Sequence, residues 1–262
     1  MASAYLAAMR HAFLIALLLA APAIAQEEPY DPSLDPKRYD GCVRAIPTDA
    51  QKAEEFAVQW QAKGGGLPAR HCQALAQLQQ GKNAAAALTL SKAAQAAEAQ
   101  KSPMAADFWG QAGNAALLAG DARGAVTHFS SGIVAAGEFA PARTANLLID
   151  RARAHTELKD LKSARTDLDK AIGLAPTEPT GWLLSAALAR RQEDLARART
   201  DIAKAAELAP ADADVQFEQG AILAASGDIP AARRLWGQVV QQAPGTDAAA
   251  LAARALNEAP AQ

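Results

Sequence analysis

Aromatic side chains are scarce in this sequence. Phe, Trp and Tyr make up only 5% of the 262 residues, although 50% of the residues are hydrophobic. Alanine supplies much of that hydrophobic content, and so small a side chain buries little apolar area on its own. A core of this composition is stabilised by many close contacts between helices rather than by a few large anchors. The composition therefore favours closely packed helices.

An excess of charge of either sign is also lacking. Lys and Arg together number 26 and Asp and Glu 28, which gives a formal net charge of −2. Proteins that bind nucleic acid usually concentrate positive charge on one face or along one helix. The balance of charges therefore argues against a nucleic acid as partner.

The N-terminal 25 residues have the pattern of an export signal. Arg10 is their only charged residue, a hydrophobic run follows over residues 12–20, and small residues precede a cleavage site between Ala25 and Gln26. We predict a signal peptide over residues 1–25 and a mature protein in the periplasm, without a membrane span. The alternative is an uncleaved anchor, but the run is shorter than the ~20 residues that cross a bilayer.

Only two cysteines are present, Cys42 and Cys72, and both lie in the predicted mature chain. In an oxidising compartment such a pair favours a disulfide. Closing a loop of about 30 residues would stabilise the fold by roughly 3–4 kcal/mol. The alternatives are two buried thiols or a metal site, for which His71 is the one obvious third ligand nearby.

The strongest pattern is a period of about 34 residues, which runs without a gap from residue 145 to residue 244. Each unit has small residues at positions 8, 20 and 27, a bulky residue at position 24 and proline at position 32. In the three units these residues are Ala152, Ala164, Ala171, Leu168 and Pro176; Ala186, Ala198, Ala205, Ile202 and Pro210; and Gly220, Ala232, Val239 (a larger residue), Trp236 and Pro244.

This pattern resembles the tetratricopeptide repeat (TPR), a two-helix unit of about the same length. The resemblance implies an all-α fold, a TPR-like α-solenoid of antiparallel helix pairs. Small residues at positions 8 and 20 would let the two helices of a unit approach closely, and the proline would end the second helix. One pair cannot bury its apolar face alone, so neighbouring units must stack.

We expect five such units over residues 67–244. The first two begin at Leu67 and Ala106, and each is followed by five extra residues, the first set at 100–104 and the second within 137–143. These extra residues are expected to lengthen the second helix of the unit or the loop after it.

Two further segments precede the units, and one follows them. Residues 26–41 are rich in proline and aspartate, so we expect an extended leader that is flexible unless it docks on the first helices. A helical segment over residues 42–66 should follow it. Residues 245–262 should supply a capping helix and a short tail.

The resemblance also implies a concave groove, lined by the first helix of each unit, in which a partner peptide binds. Some family members clamp a peptide carboxylate with a lysine at position 5, where this chain has Gly110, so that clamp is not carried here. The groove is expected to be mildly apolar with a few arginines, which suits an extended or helical peptide. The candidate groove residues are Asn114, Asn146, Ile149, Arg153, Leu183, Arg190 and Phe217.

No catalytic or metal-binding motif is visible. His155 is expected to pack in the core, Asp167 to lie on a solvated helix face, and Arg197 and Arg199 to lie on a charged outer face. We therefore predict a non-catalytic scaffold that binds another envelope protein or peptide and uses no cofactor or metal. The alternatives are an assembly factor for an envelope complex, such as cytochrome c maturation or cell-wall machinery, and, less favoured, a cell-envelope hydrolase.

Overall fold

The structure is a computed structural model that describes residues 30–258, of which residues 32–258 form one compact unit. The predicted signal peptide and its cleavage site after Ala25 lie outside the described residues. The described chain consists of helices joined by short turns. In order they are a 3-10 turn (Pro32–Leu34), α1 (Asp35–Ala45), α2 (Ala50–Ala62), α3 (Gly66–Gln79), α4 (Asn83–Ala99), α5 (Ala105–Leu118), α6 (Ala122–Ala136), α7 (Pro141–Glu157), α8 (Leu161–Leu174), α9 (Pro179–Arg191), α10 (Leu195–Leu208), α11 (Ala213–Ala225), α12 (Ile229–Gln242) and α13 (Asp247–Glu258).

The predicted helix pairs are all present. The five units correspond to α3–α4, α5–α6, α7–α8, α9–α10 and α11–α12, each helix packing against its neighbours in sequence. The last helix, α13, packs on α11 and α12 and caps the array, as expected. Short turns make consecutive helices antiparallel, so all odd-numbered helices begin at the same edge of the solenoid.

The small residue at position 8 lies directly against the bulky residue at position 24 of the same unit. A Cβ added at Gly113 would lie 2.5 Å from the ring of Phe129, and one added at Gly220 would lie 2.4 Å from Trp236. Phe129 is fully buried, so its ring has no room to move aside. The absence of a side chain at position 8 therefore lets the two helices of a unit cross closely.

The turn between the two helices of a unit is built alike in all five units. A residue with positive φ at position 15 ends the first helix; these residues are Gly81, Gly120, Lys159, Glu193 and Gly227. In the last four units an aspartate follows and caps the second helix, its carboxylate accepting a backbone N–H three residues on. These caps are Asp121, Asp160, Asp194 and Asp228.

The leader is not extended throughout, which corrects the expectation from sequence. Its second half forms the first turns of α1, where Pro36 occupies a position whose backbone N–H would have no helical partner. Trp60 Nε1 donates a hydrogen bond to Asp35 Oδ1 at 3.1 Å. Tyr39 Oη and His71 Nδ1 are hydrogen-bonded at 2.7 Å, which ties α1 to α3.

The predicted disulfide is present. It joins Cys42 of α1 to Cys72 of α3, with their Cα atoms 6.3 Å apart, and both residues are buried. The bond closes a loop of 30 residues around α2. Together with the contact between Tyr39 and His71, it fastens the N-terminal helix to the first unit.

The two five-residue insertions take different places. The first lengthens α4 to 17 residues, against 14 in α8, as expected for the second helix of a unit. The second does not follow that expectation, because residues 141–144 extend the start of α7. That helix has 17 residues, whereas the first helices of the next two units, α9 and α11, have 13 each.

Candidate peptide-binding groove

Two cavities meet at Arg153 of α7. One, of about 500 Å³, lies between α5 and α7 and is lined by Asn114, Leu117, Leu118, Gly120, Ala122, Arg153 and Glu157. The other, of about 130 Å³, lies on the far side of α7 and includes Arg153, Glu157, Leu184 and Arg191. We call these two cavities and Arg153 the central groove. Five of the seven residues of the larger cavity lie on α5 and α7, the first helices of their units, which the resemblance assigns to the concave face.

Asp150 holds Arg153 in place. Arg153 Nη1 donates to Asp150 Oδ1 at 2.9 Å, and Asn114 lies beside this carboxylate. Burial raises the pKa of Asp150, while Arg153 and Asn114 act in the opposite direction. A guanidinium has five N–H donors, so the bond to Asp150 leaves others that can meet a ligand.

The central groove combines apolar surface with charges of both signs. Leu118, with 67% of its surface exposed, stands at the rim of the larger cavity, and Leu117 is half-buried within it. Arg153 itself is about half exposed, with 48% of its side chain open to solvent. An apolar side chain can enter beside Leu118 while a carboxylate or carbonyl oxygen reaches Arg153.

Two predicted groove residues are engaged in packing instead. Ile149 is only 4% exposed and lies against α9, where a Cβ added at Gly181 would be 3.6 Å from its Cδ1. The expectation that Ile149 lines the groove is therefore wrong. Arg190 forms two hydrogen bonds, of 2.6 and 3.0 Å, with the buried carboxylate of Glu218 and so joins α9 to α11.

The remaining predicted residues divide between solvent and core. Asn146 is exposed on α7, as Asn114 is on α5. Leu183 and Phe217 are half-buried and pack against the cores of their own units, Phe217 beside the ring of Trp236. The structure thus brings Asn114 and Arg153 together at one cavity and leaves Leu183 and Phe217 with mainly structural contacts.

The sequence predicted that Asp167 lies on a solvated helix face, but the structure places it in a buried polar contact. Asp167 is 5% exposed and accepts two hydrogen bonds from Arg151, at 2.7 and 2.8 Å. One repeat later, Ser185 donates to the buried Asp201 in the same way. The signal in the sequence was the equal spacing of the two pairs, because Ser185 and Asp201 each follow their counterparts by one full period.

Three arginines form a second periodic set. One of them, Arg199, was expected from the sequence on a charged outer face, and the other two were not singled out. Arg165, Arg199 and Arg233 stand at the same position of successive units and start from the second helix of their unit. Each donates to the helix that follows, and we call these contacts the arginine joints. Their acceptors are Ser185 Oγ and O at 2.5 and 3.0 Å, Ser226 Oγ at 3.2 Å, and Leu256 O at 2.7 Å.

The three histidines that the structure describes, His71, His128 and His155, lie far apart along the chain. His155 is 15% exposed, as expected of a packing residue, with its ring nitrogens 3.6 Å from Asp160 and 3.8 Å from Asp167. Burial lowers the pKa of His71 and of His128. Among residues 30–258 no three His, Cys, Asp or Glu side chains are grouped so that they could bind a metal ion. No helix in that range is long and apolar enough to cross a membrane.

The sequence matches no known family profile and no curated protein. In structure the chain is similar to PilW, described as a widely conserved type IV pilus biogenesis factor, with a TM-score of 0.64 and 13% identity over 82% of this chain and 96% of PilW. It is also similar to YrrB, a TPR protein with an unusual peptide-binding site, with a TM-score of 0.50 and 17% identity over 76% of this chain and 96% of YrrB. A third is BtubC from P. vanneervenii, with a TM-score of 0.60 and 12% identity over 87% of this chain and 94% of BtubC. Identities this low establish the fold alone, and that fold is the all-α solenoid of TPR proteins.

Proposed function

We propose that this protein is an exported, non-catalytic scaffold that binds a peptide segment of another envelope protein in the central groove. The observation that carries the proposal is the meeting of two cavities at Arg153, whose guanidinium is positioned by Asp150 yet about half exposed. A side chain held in this way is preorganised, so less conformational freedom is lost when a ligand binds.

The chemistry of the groove indicates the kind of segment. An acidic side chain or a C-terminal carboxylate would accept charge-assisted hydrogen bonds from Arg153. A neighbouring apolar side chain would enter the larger cavity beside Leu117 and Leu118. Extended and helical peptides both present side chains at spacings that suit such adjacent cavities.

Export is supported by two independent features. The pattern of residues 1–25 is that of a signal peptide, and the disulfide between Cys42 and Cys72 is of a kind that persists in oxidising compartments. A periplasmic location would place the central groove among envelope proteins.

The proposal can be tested with a displayed library of random peptides, selected on the purified protein and measured by titration. We expect the selected peptides to carry an acidic residue next to an apolar one. Arg153→Glu should weaken their binding by about tenfold to a hundredfold, because charge-assisted hydrogen bonds are lost. Leu118→Asp should also weaken peptide binding, because it removes the apolar surface that the apolar side chain of the peptide contacts.

The matched control is Thr166→Glu, an exposed position on α8, a second helix of its unit. Like Arg153→Glu, this variant makes the net charge more negative. It should nevertheless bind the peptides like the parent protein. Equal affinity for the parent and both groove variants would contradict binding in the central groove.

A second candidate is a role in assembling an envelope complex, which is favoured by the similarity of fold to PilW. In that case deletion of the gene should disturb one assembly, and the Arg153→Glu protein should fail to restore it. Full restoration by Arg153→Glu would show that any such role does not use the central groove.

A further inference from the structure

A third cavity, of about 310 Å³, lies at the edge where the odd-numbered helices begin, apart from the two cavities that meet at Arg153. We call it the edge cavity. Its apolar walls are the N-terminal ends of three helices, with Pro36 and Tyr39 from α1, Leu67 and Pro68 from α3, and Phe108 from α5 together with Met104, which directly precedes that helix. Its volume is within the range of sites that take one bulky apolar group.

The polar groups at the edge cavity are already bonded within the protein. The two ring nitrogens of His71 meet Tyr39 Oη at 2.7 Å and Gln111 Oε1 at 2.8 Å. The Asp35 carboxylate accepts hydrogen bonds from Arg38 and Trp60. A guest therefore meets carbon surface, and an apolar group fits better than a polar one.

The wall that α1 provides is fastened in place. The Cys42–Cys72 disulfide joins α1 to α3 one turn or less beyond the cavity residues Tyr39 and His71, whose rings are stacked. The edge cavity is thus preformed, and a guest does not have to order α1 in order to bind.

Among the large apolar side chains that the structure describes, Phe139 is the most exposed. Phe139 is 99% exposed in the loop between α6 and α7, within the second insertion. This loop ends where α7 begins, so it lies at the same edge of the solenoid as the edge cavity. A phenylalanine in water exposes a large apolar area, and its burial is strongly favourable.

We propose that Phe139 of one copy fills the edge cavity of a second copy, so that two chains pair edge to edge. Phe139 and the edge cavity lie on the same edge of each chain, so a two-fold arrangement closes with two equivalent contacts. Pairing at this edge does not require the central groove, and it stands or falls independently of the proposed peptide binding.

Sedimentation equilibrium of the purified protein tests the proposal. We expect a monomer–dimer equilibrium, and Phe139→Asp should weaken it by at least about a hundredfold, because both contacts lose a buried phenylalanine. The control is Leu88→Asp, which places the same charge at another exposed apolar residue, on α4, and should leave the equilibrium unchanged.

A mixing experiment identifies the cavity. Met104→Asp places a charge at the half-exposed mouth of the edge cavity and should also abolish pairing. Mixed with Phe139→Asp, it should form a heterodimer, because one intact Phe139 then meets one intact cavity. Circular dichroism of each variant confirms that the helices are retained.

Three results would overturn the proposal. These are a parent protein that stays monomeric at its highest soluble concentration, a dimer that Phe139→Asp leaves unchanged, and variants that do not complement each other when mixed. A monomer that binds lipid vesicles through Phe139 would also contradict it and assign the loop to a membrane surface.

Discussion

The two halves of the solenoid join their units in different ways. Between α4 and α5 the contact consists mainly of small apolar side chains, among them Ala94, Ala97, Ala105 and Ala112, all of them buried. One hydrogen bond crosses it, from Trp109 Nε1 to Glu98 Oε1 at 2.8 Å. From α8 onwards each unit is joined to the next by an arginine joint. The interface of α4 and α5 is thus mainly a close apolar contact, whereas the later interfaces combine apolar contacts with a hydrogen bond from a fixed position.

The difference explains where the repeat period is strict. A hydrogen bond from Arg165 or Arg199 reaches its acceptor only if the next helix lies at a set distance and angle. An apolar contact between alanines tolerates a shift along the helix, since it depends on area rather than direction. The arginine joints accordingly coincide with the units that have no gap, and both insertions precede them.

The largest expected effect is in the apolar half. Phe129→Ala would remove a fully buried ring from its contact with Gly113 and leave a cavity. We expect the free energy of unfolding to fall by about 3–5 kcal/mol. Denaturant titration measures this, and Leu88→Ala, at an exposed site on α4, should change it by less than about 0.5 kcal/mol. A small loss for Phe129→Ala would mean that this unit is not held by its core.

Removal of the disulfide should have the next largest effect on the free energy of unfolding. The Cys42→Ser, Cys72→Ser double variant should lose about 3–4 kcal/mol in the chain-entropy description of a 30-residue loop. Hydrogen exchange should show the loss concentrated in α1, whose attachment depends on this bond, with α7–α12 unaffected. Equal protection of α1 with and without the disulfide would contradict its role as a fastening.

Loss of an arginine joint should lower the free energy of unfolding by less than loss of a core side chain, but by more than loss of a surface ion pair. Arg165→Met keeps much of the aliphatic bulk yet leaves the fully buried Ser185 without its donor, so we expect a loss of about 1–3 kcal/mol. Lys204→Met removes an exposed pair with Glu207 and should cost no more than about 0.5 kcal/mol. If denaturant titration gave the same loss of unfolding free energy for Arg165→Met and Lys204→Met, the arginine joint would contribute no more than a surface ion pair.

A turn in the regular half can be improved. Glu193 has a φ of 62° at a position where three of the other four units have glycine, so a side chain there is strained. Glu193→Gly should raise the free energy of unfolding by up to about 1 kcal/mol. Glu207→Gly, inside α10, is the control and should lower it by about 1 kcal/mol, since glycine weakens helices. Destabilisation by Glu193→Gly would show that its side chain makes a contact that outweighs the strain.

The smallest effect concerns pH and the N-terminal half. Burial lowers the pKa of His71 in the folded protein, so below its ordinary value of about 6.5 the unfolded chain binds the proton more readily. Stability should therefore fall as the pH drops through about 6.5 towards the lower folded pKa. In His71→Gln, thermal denaturation between about pH 5 and pH 7 should show a shallower decline. An unchanged slope would mean that His71 does not contribute to it.

The repeat pattern sufficed to predict the helix pairs and their packing, because Gly113, Phe129 and the prolines act within one unit. It did not predict the burial of Asp167, which depends on a partner in another helix, although the regular recurrence of such residues was a usable signal. The prolines of the leader suggested an extended chain, yet Pro36 lies in the first turn of a helix, where it is well tolerated. Ile149 does not line the predicted groove, because Gly181 of the next unit leaves space in which its side chain is buried.

The most direct test of the central groove is site-specific photocrosslinking in the living cell. The probe would replace Leu118 or Arg153 in the groove, with Thr166 on α8 as the control position. We predict one discrete protein, trapped by both groove probes and absent with the Thr166 probe. The same products from all three positions, or no product from the groove probes, would contradict a scaffold that binds its partner there.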